Sequence, residues 1–238
     1  KSSQLRQTIA RLQELGGSLV LVDGALNRMA PMVETDGFIL ATGAARQPDI
    51  DLLVKETNAI SHICNLESYA GPSLEGLTNI AFVSASGERQ ETPLFFLNDE
   101  QDVADLKKYW WAKAAYMYIP GVVGEKCWPY LVEFLLQQEN KPALVFQDPI
   151  KVLLSGNVGD SFTYLQQLES NQREVLIKNK VKLLAITVNP FYPRYRYEAN
   201  DYEPAYVDKE ELISKMREIK SPVFDVVQEG GDKLLDEL

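Results

Sequence analysis

The chain has 238 residues, with 24 Lys and Arg against 34 Asp and Glu and a net charge of −10 with its single His neutral. A content of 45 % hydrophobic and 24 % charged residues is too apolar for a disordered chain and matches a globular protein with ample core material. The acidic balance argues against a nucleic-acid partner, because a polyanion is repelled, and no apolar run approaches the roughly 18 residues of a membrane span. Two cysteines, Cys64 and Cys127, stand outside any CxxC pair. They carry no metal or disulfide signature and fit a reducing, cytoplasmic setting. The sequence opens at Lys1 inside a helical pattern, without a signal peptide, which leads to the expectation of a further segment upstream.

In chain order, Ser2 and Ser3 precede a helix whose apolar positions Leu5, Ile9, Leu12 and Leu15 fall three and four apart, ended by Gly16 and Gly17. Residues 18–22 form a continuous apolar run, the pattern of a strand buried on both faces, stopped by Asp23 and Gly24. A turn with Arg28 and Pro31 leads to a second buried strand at 37–42, closed by Gly43, and then to a helix over about 48–67. Turn residues cluster over 68–76. Short strands are expected at 80–84 and, begun by Pro93 and so at an edge, at 93–97. A helix over 99–113 ends in Tyr109, Trp110 and Trp111; a strand at 115–119 runs into Pro120 and Gly121. A helix over 125–138 and a strand at 143–146 follow, ahead of Asp148 and Pro149. Residues 181–188 are the strongest buried-strand pattern in the chain and stop at Asn189 and Pro190. A polar, Tyr-rich loop over 191–206, a helix over 208–219, a short strand at 222–227 and an acidic tail complete the chain. The grammar is α/β: a mainly parallel sheet flanked by helices, built from 1–68 and 181–227, with an inserted smaller α/β lobe at 69–180 and a tail at 228–238.

Strands of a parallel sheet present ligand-binding residues at their carboxyl ends. Asp23 after an apolar strand has the form of the acid that holds magnesium beside nucleotide phosphates, and equally the form of an ordinary Asp-Gly turn. No GxxxxGK[ST] loop accompanies it, so these residues alone cannot cradle a triphosphate. His62 reads as a structural side chain, and without a second His a Ser-His-Asp relay has no parts to spare. The two cysteines read as small buried hydrophobes, and the Tyr109, Trp110, Trp111 group as lobe packing. In the Tyr-rich loop, Arg194 and Arg196 either reach an anion or a partner, or simply offset Glu198, Asp201 and Glu203.

Taken together, LVLVDGA at 19–25, Asn27 and Arg28, DGFILATGA at 36–44, Asp148-Pro149-Ile150-Lys151, LLAITVNP at 183–190 and PVFDV at 222–226 resemble a bacterial family of P-loop NTPases. That family is found with adenosylcobalamin-dependent lysine 5,6-aminomutase, and one member is its reactivase subunit. The resemblance spans Ser3 to Val227, and it places the phosphate-binding loop upstream of Lys1. It implies a P-loop NTPase-like fold related to dethiobiotin synthetase and MinD. It makes Asp23 the magnesium-side acid, Asn189 the reader of a purine edge, Thr42 and Gly43 a backbone wall near the γ-phosphate, and Asp225 a border of the base pocket. Ile150 departs from the family's Thr, which puts any hydroxyl role there in doubt. The implied function is a nucleotide-dependent (ATP or another purine nucleotide, with Mg2+) accessory factor for a cobalamin mutase. The alternatives are an ATP-dependent ligase or carboxylase like dethiobiotin synthetase, and a non-enzymatic binding lobe with a degenerate nucleotide site.

Overall fold

The structure, a computed structural model, describes residues 2–24 and 30–235. The motif positions Ala25, Asn27 and Arg28 and the turn expected around them lie outside the described residues. Helix α1 (Ser2–Glu14) leads through irregular chain and a 3-10 turn (Ala30–Glu34) into β1 (Gly37–Gly43) and α2 (Ile50–Cys64). Asp49 opens α2 by accepting a hydrogen bond from the Leu52 amide, so the helix starts two residues after the expected position and ends at Asn65. The second lobe runs β2 (Glu67–Ser68), β3 (Ala81–Ser84), β4 (Arg89–Glu91), α3 (Glu100–Lys107) and β5 (Ala114–Ile119). It continues with α4 (Trp128–Leu136), β6 (Ala143–Phe146), α5 (Pro149–Leu153), α6 (Val158–Ser170) and β7 (Val175–Ile177). The chain then returns with β8 (Lys182–Asn189), β9 (Phe191–Arg196), β10 (Asp201–Tyr206), α7 (Lys209–Met216), β11 (Val223–Phe224), α8 (Val226–Glu229) and α9 (Asp232–Leu235).

These elements build an α/β protein with two main sheets. Strands β1, β8 and β11 form a wholly parallel three-stranded sheet in the order β1-β8-β11. The six-stranded sheet has the order β2-β7-β6-β5-β3-β4, parallel from β2 to β5 and antiparallel at β3 and β4. Its crossovers step from β5 to β6 to β7 in one direction, which keeps α4, α5 and α6 on one face. The other face is covered by Leu74, Leu77 and Tyr69, which pack on Val83, Tyr118, Val145 and Leu176. A single apolar cluster links the sheets: Phe38, Leu40 and Ile186 from one, Phe82, Met117 and Phe146 from the other, with Leu53, Ile60 and Ile63 of α2. Among the described residues no helix is long and apolar enough to cross a membrane.

Several sequence expectations change. Residues 18–22 are not a strand but irregular chain, with Leu19, Leu21 and Val22 exposed at 55 %, 75 % and 42 %. A strand buried on both faces needs a hydrogen-bonded neighbour, and this run makes no ladder with β1; a cavity of about 470 Å3 lies between the two, lined by Leu19–Gly24 on one side and Gly37–Ile39 on the other. The edge strand beside β3 is not at 93–97 but at β4, because Pro93 has no amide to donate and the reversal occurs earlier, at Gly87 with φ +91°. Leu97 makes only a single bridge, to Val123. The Tyr-rich loop is a regular antiparallel hairpin, β9 with β10, in which Arg196 faces Asp201 and Arg194 faces Glu203. The last strand is only two residues long, since the side chain of Asp225 turns the chain into α8.

Burial also sets the chemistry of the inner polar groups. The Cys64 thiol is pushed up to about 12 and that of Cys127 to about 11 by burial, so both are inert hydrophobes at neutral pH. Trp110 packs edge-on against Phe82 and Phe134, the packing role expected for that aromatic group. Asp148, 4 % exposed, caps α5 through the Lys151 amide at 3.1 Å, and burial raises its carboxyl above the usual range despite the nearby Lys151 charge. An acid whose folded pKa is raised binds its proton more tightly folded than unfolded. It therefore costs no stability below the unfolded value of about 3.9, and the cost grows as pH rises through the folded value. Asp148→Asn keeps the capping acceptor without the charge. It is expected to melt higher than wild type at pH 7 and to converge with it near pH 3, as read by thermal denaturation across pH.

Candidate functional site

The candidate site lies at the carboxyl end of the three-stranded sheet. Gly43 pairs with Asn189 in the β1–β8 register, and the Ala44 amide donates to the Asn189 carbonyl at 2.8 Å. The two backbones approach so closely that a Cβ on Gly43 would sit 2.2 Å from the Asn189 carbonyl oxygen. Only glycine fits there. Thr42 pairs with Val188, and Phe224 pairs with Thr187 on the far side of β8, which brings Asp225 to the same end. Four of the residues expected from sequence, Thr42, Gly43, Asn189 and Asp225, are thus gathered on adjacent strand ends.

Their side chains are partly committed. The Asn189 Oδ1 accepts from the Phe191 amide at 2.9 Å, which turns the chain into the hairpin; its amide nitrogen has no partner among the described residues. Asp225 is 6 % exposed and its Oδ1 caps α8, accepting from Val227 and Gln228 at 3.1 and 3.2 Å. That is the work of a helix cap, so its contribution to a base pocket is limited to shaping the wall.

Asp23 does not join this group. It is exposed, in irregular chain, and it borders the cavity beside Gly37–Ile39, at the amino half of β1 rather than at the Gly43 end. Arg194 is also placed otherwise than as an anion ligand. Its guanidinium grips Glu203 across the hairpin, with Nε 2.7 Å from Oε1, while Arg196 Nε lies 2.7 Å from Asp201. A guanidinium already paired to a carboxylate on the neighbouring strand has its charge neutralised before any ligand arrives. The hairpin therefore offers aromatic rather than cationic surface: Tyr197, Tyr202 and Tyr206 are all exposed.

Ile150 is 1 % exposed and packs in the core, so its role here is apolar. His62 is half-buried, 3.0 Å from Glu169 and edge-on to Phe162, a bridge between α2 and α6. Sequence reasoning missed this partner because Glu169 lies on a helix that was not anticipated.

For a purine nucleotide, the described residues at this end supply the Asn189 amide nitrogen and the Thr42–Gly43 backbone, while the Asp23 carboxylate, beside the amino half of β1, is not placed to hold an ion next to them. Among them no three His, Cys, Asp or Glu side chains gather to hold a metal. Magnesium needs only one or two carboxylates when phosphates and water complete its shell, so the donor type fits, but no phosphate cradle is present among these residues. Comparison with protein-family models, curated proteins and solved structures finds no match to this chain. Fold and site define the chain as an α/β protein with polar residues converging at the carboxyl end of a parallel sheet.

Proposed function

We propose that this chain is the base-facing part of a nucleotide-dependent accessory factor that reactivates a cobalamin-dependent aminomutase. The observation that carries the reading is the convergence of Thr42, Gly43 and Asn189 on adjoining parallel strand ends, with an Asn189 amide nitrogen that has no partner among the described residues. A primary amide is suited to a purine edge, and the close backbone pairing of Gly43 with Asn189 fixes the strand end that carries it. The phosphate-binding loop comes, in this reading, from outside these 238 residues. The edge of β1 that is unpaired among the described residues, facing the apolar run 18–22 across the groove, is the place where an added strand would bury both and draw Asp23 toward the phosphates. Bound nucleotide supplies the free-energy change of a switch. The residues here would read its base and relay its presence through Asn189, whose side chain starts the β9–β10 hairpin. The exposed tyrosines of that hairpin are the surface offered to the mutase.

The test is nucleotide turnover by the full-length protein with and without an inactivated cobalamin mutase. Turnover stimulated by the mutase and lost when Tyr197 and Tyr202 are both changed to Ser supports the accessory role. Stimulation by a small carboxylic acid alone favours the ligase alternative and overturns it. No nucleotide turnover or binding leaves only the non-enzymatic binding lobe.

A further inference from the structure

The β9–β10 hairpin has two unlike faces. In its register Tyr195 stands opposite Tyr202, Pro193 opposite Pro204 and Phe191 opposite Tyr206, so these six side chains share one face. Their rings meet edge-on, Tyr195 with Tyr202 at 5.1 Å and Phe191 with Tyr206 at 5.7 Å, and Tyr197 extends the row from the turn, 4.9 Å from Tyr195. The alternate residues form the other face, where Arg194 pairs with Glu203 and Arg196 with Asp201. Every charge of the two strands lies on that second face, and the aromatic face has none.

The aromatic face is open. Tyr197, Tyr202 and Tyr206 are 89 %, 67 % and 58 % exposed, Pro193 and Pro204 are exposed with them, and none of these residues belongs to an apolar core cluster. Among the described residues β9 and β10 pair only with each other, and a two-stranded hairpin is marginal without a further layer. Extending its edges is blocked. The Val207 amide donates to the Pro190 carbonyl at 3.0 Å, so by alternation Pro193 and Pro204 form a non-bonded pair whose backbone groups point to the outer edges. Each edge therefore carries a proline where an added strand would need an amide, and a partner is left the face. Charge then selects the partner. The chain carries −10 overall, and Glu198, next to Tyr197, and Glu210, next to Lys209, are exposed and make no ion pair among the described residues. Lys209 holds its ammonium over the Tyr206 ring, 5.0 Å from the centroid, so a cation already rests on this row. An acidic surface is repelled here and an aliphatic one leaves the carboxylates unmatched, whereas a long basic side chain lays its stem on the rings and brings the opposite charge.

We propose that the aromatic face of the β9–β10 hairpin docks a protein surface presenting arginine or lysine side chains, which lie against the rings of Tyr197, Tyr202 and Tyr206. The inference rests on the reading that this hairpin is the partner-facing surface and names the chemistry the partner brings to it. It does not depend on nucleotide.

The probe is a fluorescein-labelled octapeptide of alternating glycine and arginine, with glycine–glutamate and glycine–leucine counterparts as controls, read by fluorescence anisotropy against the full chain at about 50 mM salt. The expected result is saturable binding of the arginine peptide alone. Changing Tyr197 and Tyr202 together to Ser should weaken it about tenfold although no charge is altered, and changing both to Phe, which keeps the ring faces, should restore it to within about twofold. No binding of the arginine peptide, equal binding of the leucine peptide, undiminished binding by the Ser pair, or a loss that the Phe pair does not restore overturns the proposal. The two readings fail separately. Ring-dependent peptide binding without turnover stimulated by the mutase keeps the docking chemistry and removes the mutase, and stimulated turnover without peptide binding does the reverse.

Discussion

Trp128→Ala is expected to destabilise the protein by about 3–5 kcal/mol, lowering the melting temperature by roughly 6–20 °C. Trp128 is 1 % exposed at the start of α4, stacked on Tyr164 with rings 3° from parallel and tilted against Phe146 of β6. Its removal leaves a hole where α4, α6 and the central sheet meet, and such a hole cannot close without moving a helix. The indole Nε1 is buried without a partner among the described residues, so the side chain holds its place by shape and area. Trp128→Phe, which keeps most of the ring and removes the unpaired donor, should lose well under half as much. Equal losses for the two variants in chemical denaturation would show that packing at this site is not what stabilises the lobe.

Gly43→Ala should be the most damaging change at the candidate site. The added methyl would meet the Asn189 carbonyl oxygen at 2.2 Å and the Asn189 amide nitrogen at 2.9 Å, both backbone atoms in a hydrogen-bonded ladder. Relief requires β1 and β8 to part at their carboxyl ends, at a cost of about 1–3 kcal/mol. It also breaks the Ala44-to-Asn189 hydrogen bond that fixes the strand tips. Thermal denaturation and nucleotide binding should both register the change, whereas Gly76→Ala, where no atom lies within 4 Å of the new carbon but φ is +79°, should register only a modest stability loss. Undisturbed stability in Gly43→Ala would mean that the two backbones are not held this closely.

Strands with continuous apolar runs and a buried neighbour on each side were legible from residue pattern. Residues 143–146 form β6 as expected, and 181–188 appear as β8 shifted by one residue. The apolar run 18–22 shows the limit of that signal, because hydrophobicity states a demand for neighbours without supplying them. The hairpin at 191–206 was hidden for the opposite reason. Its stability comes from cross-strand pairs such as Arg194 with Glu203 and Arg196 with Asp201, and a charge pattern of that kind reads as a solvated loop until the register is known. The convergence of Gly43 with Asn189 was legible as two strand-ending signals. Asp225 was found by position, but its engagement as a helix cap depends on the short α8, which no periodicity announces. The His62–Glu169 contact needed α6, whose start is marked in the sequence by the Asn157 cap, Asp160 in the first turn and the three-residue spacing of Phe162, Leu165 and Leu168, a signal that went unused.

The most direct measurement is magnesium-dependent binding of ATP to the full-length protein by isothermal titration, comparing wild type with Asp23→Ala and Asn189→Ala. Binding that requires magnesium, is lost in Asp23→Ala and loses its preference for purines in Asn189→Ala is the expected result. Binding of equal strength and selectivity in all three proteins, or no nucleotide binding by any of them, would contradict a nucleotide site at the Gly43–Asn189 end of the sheet.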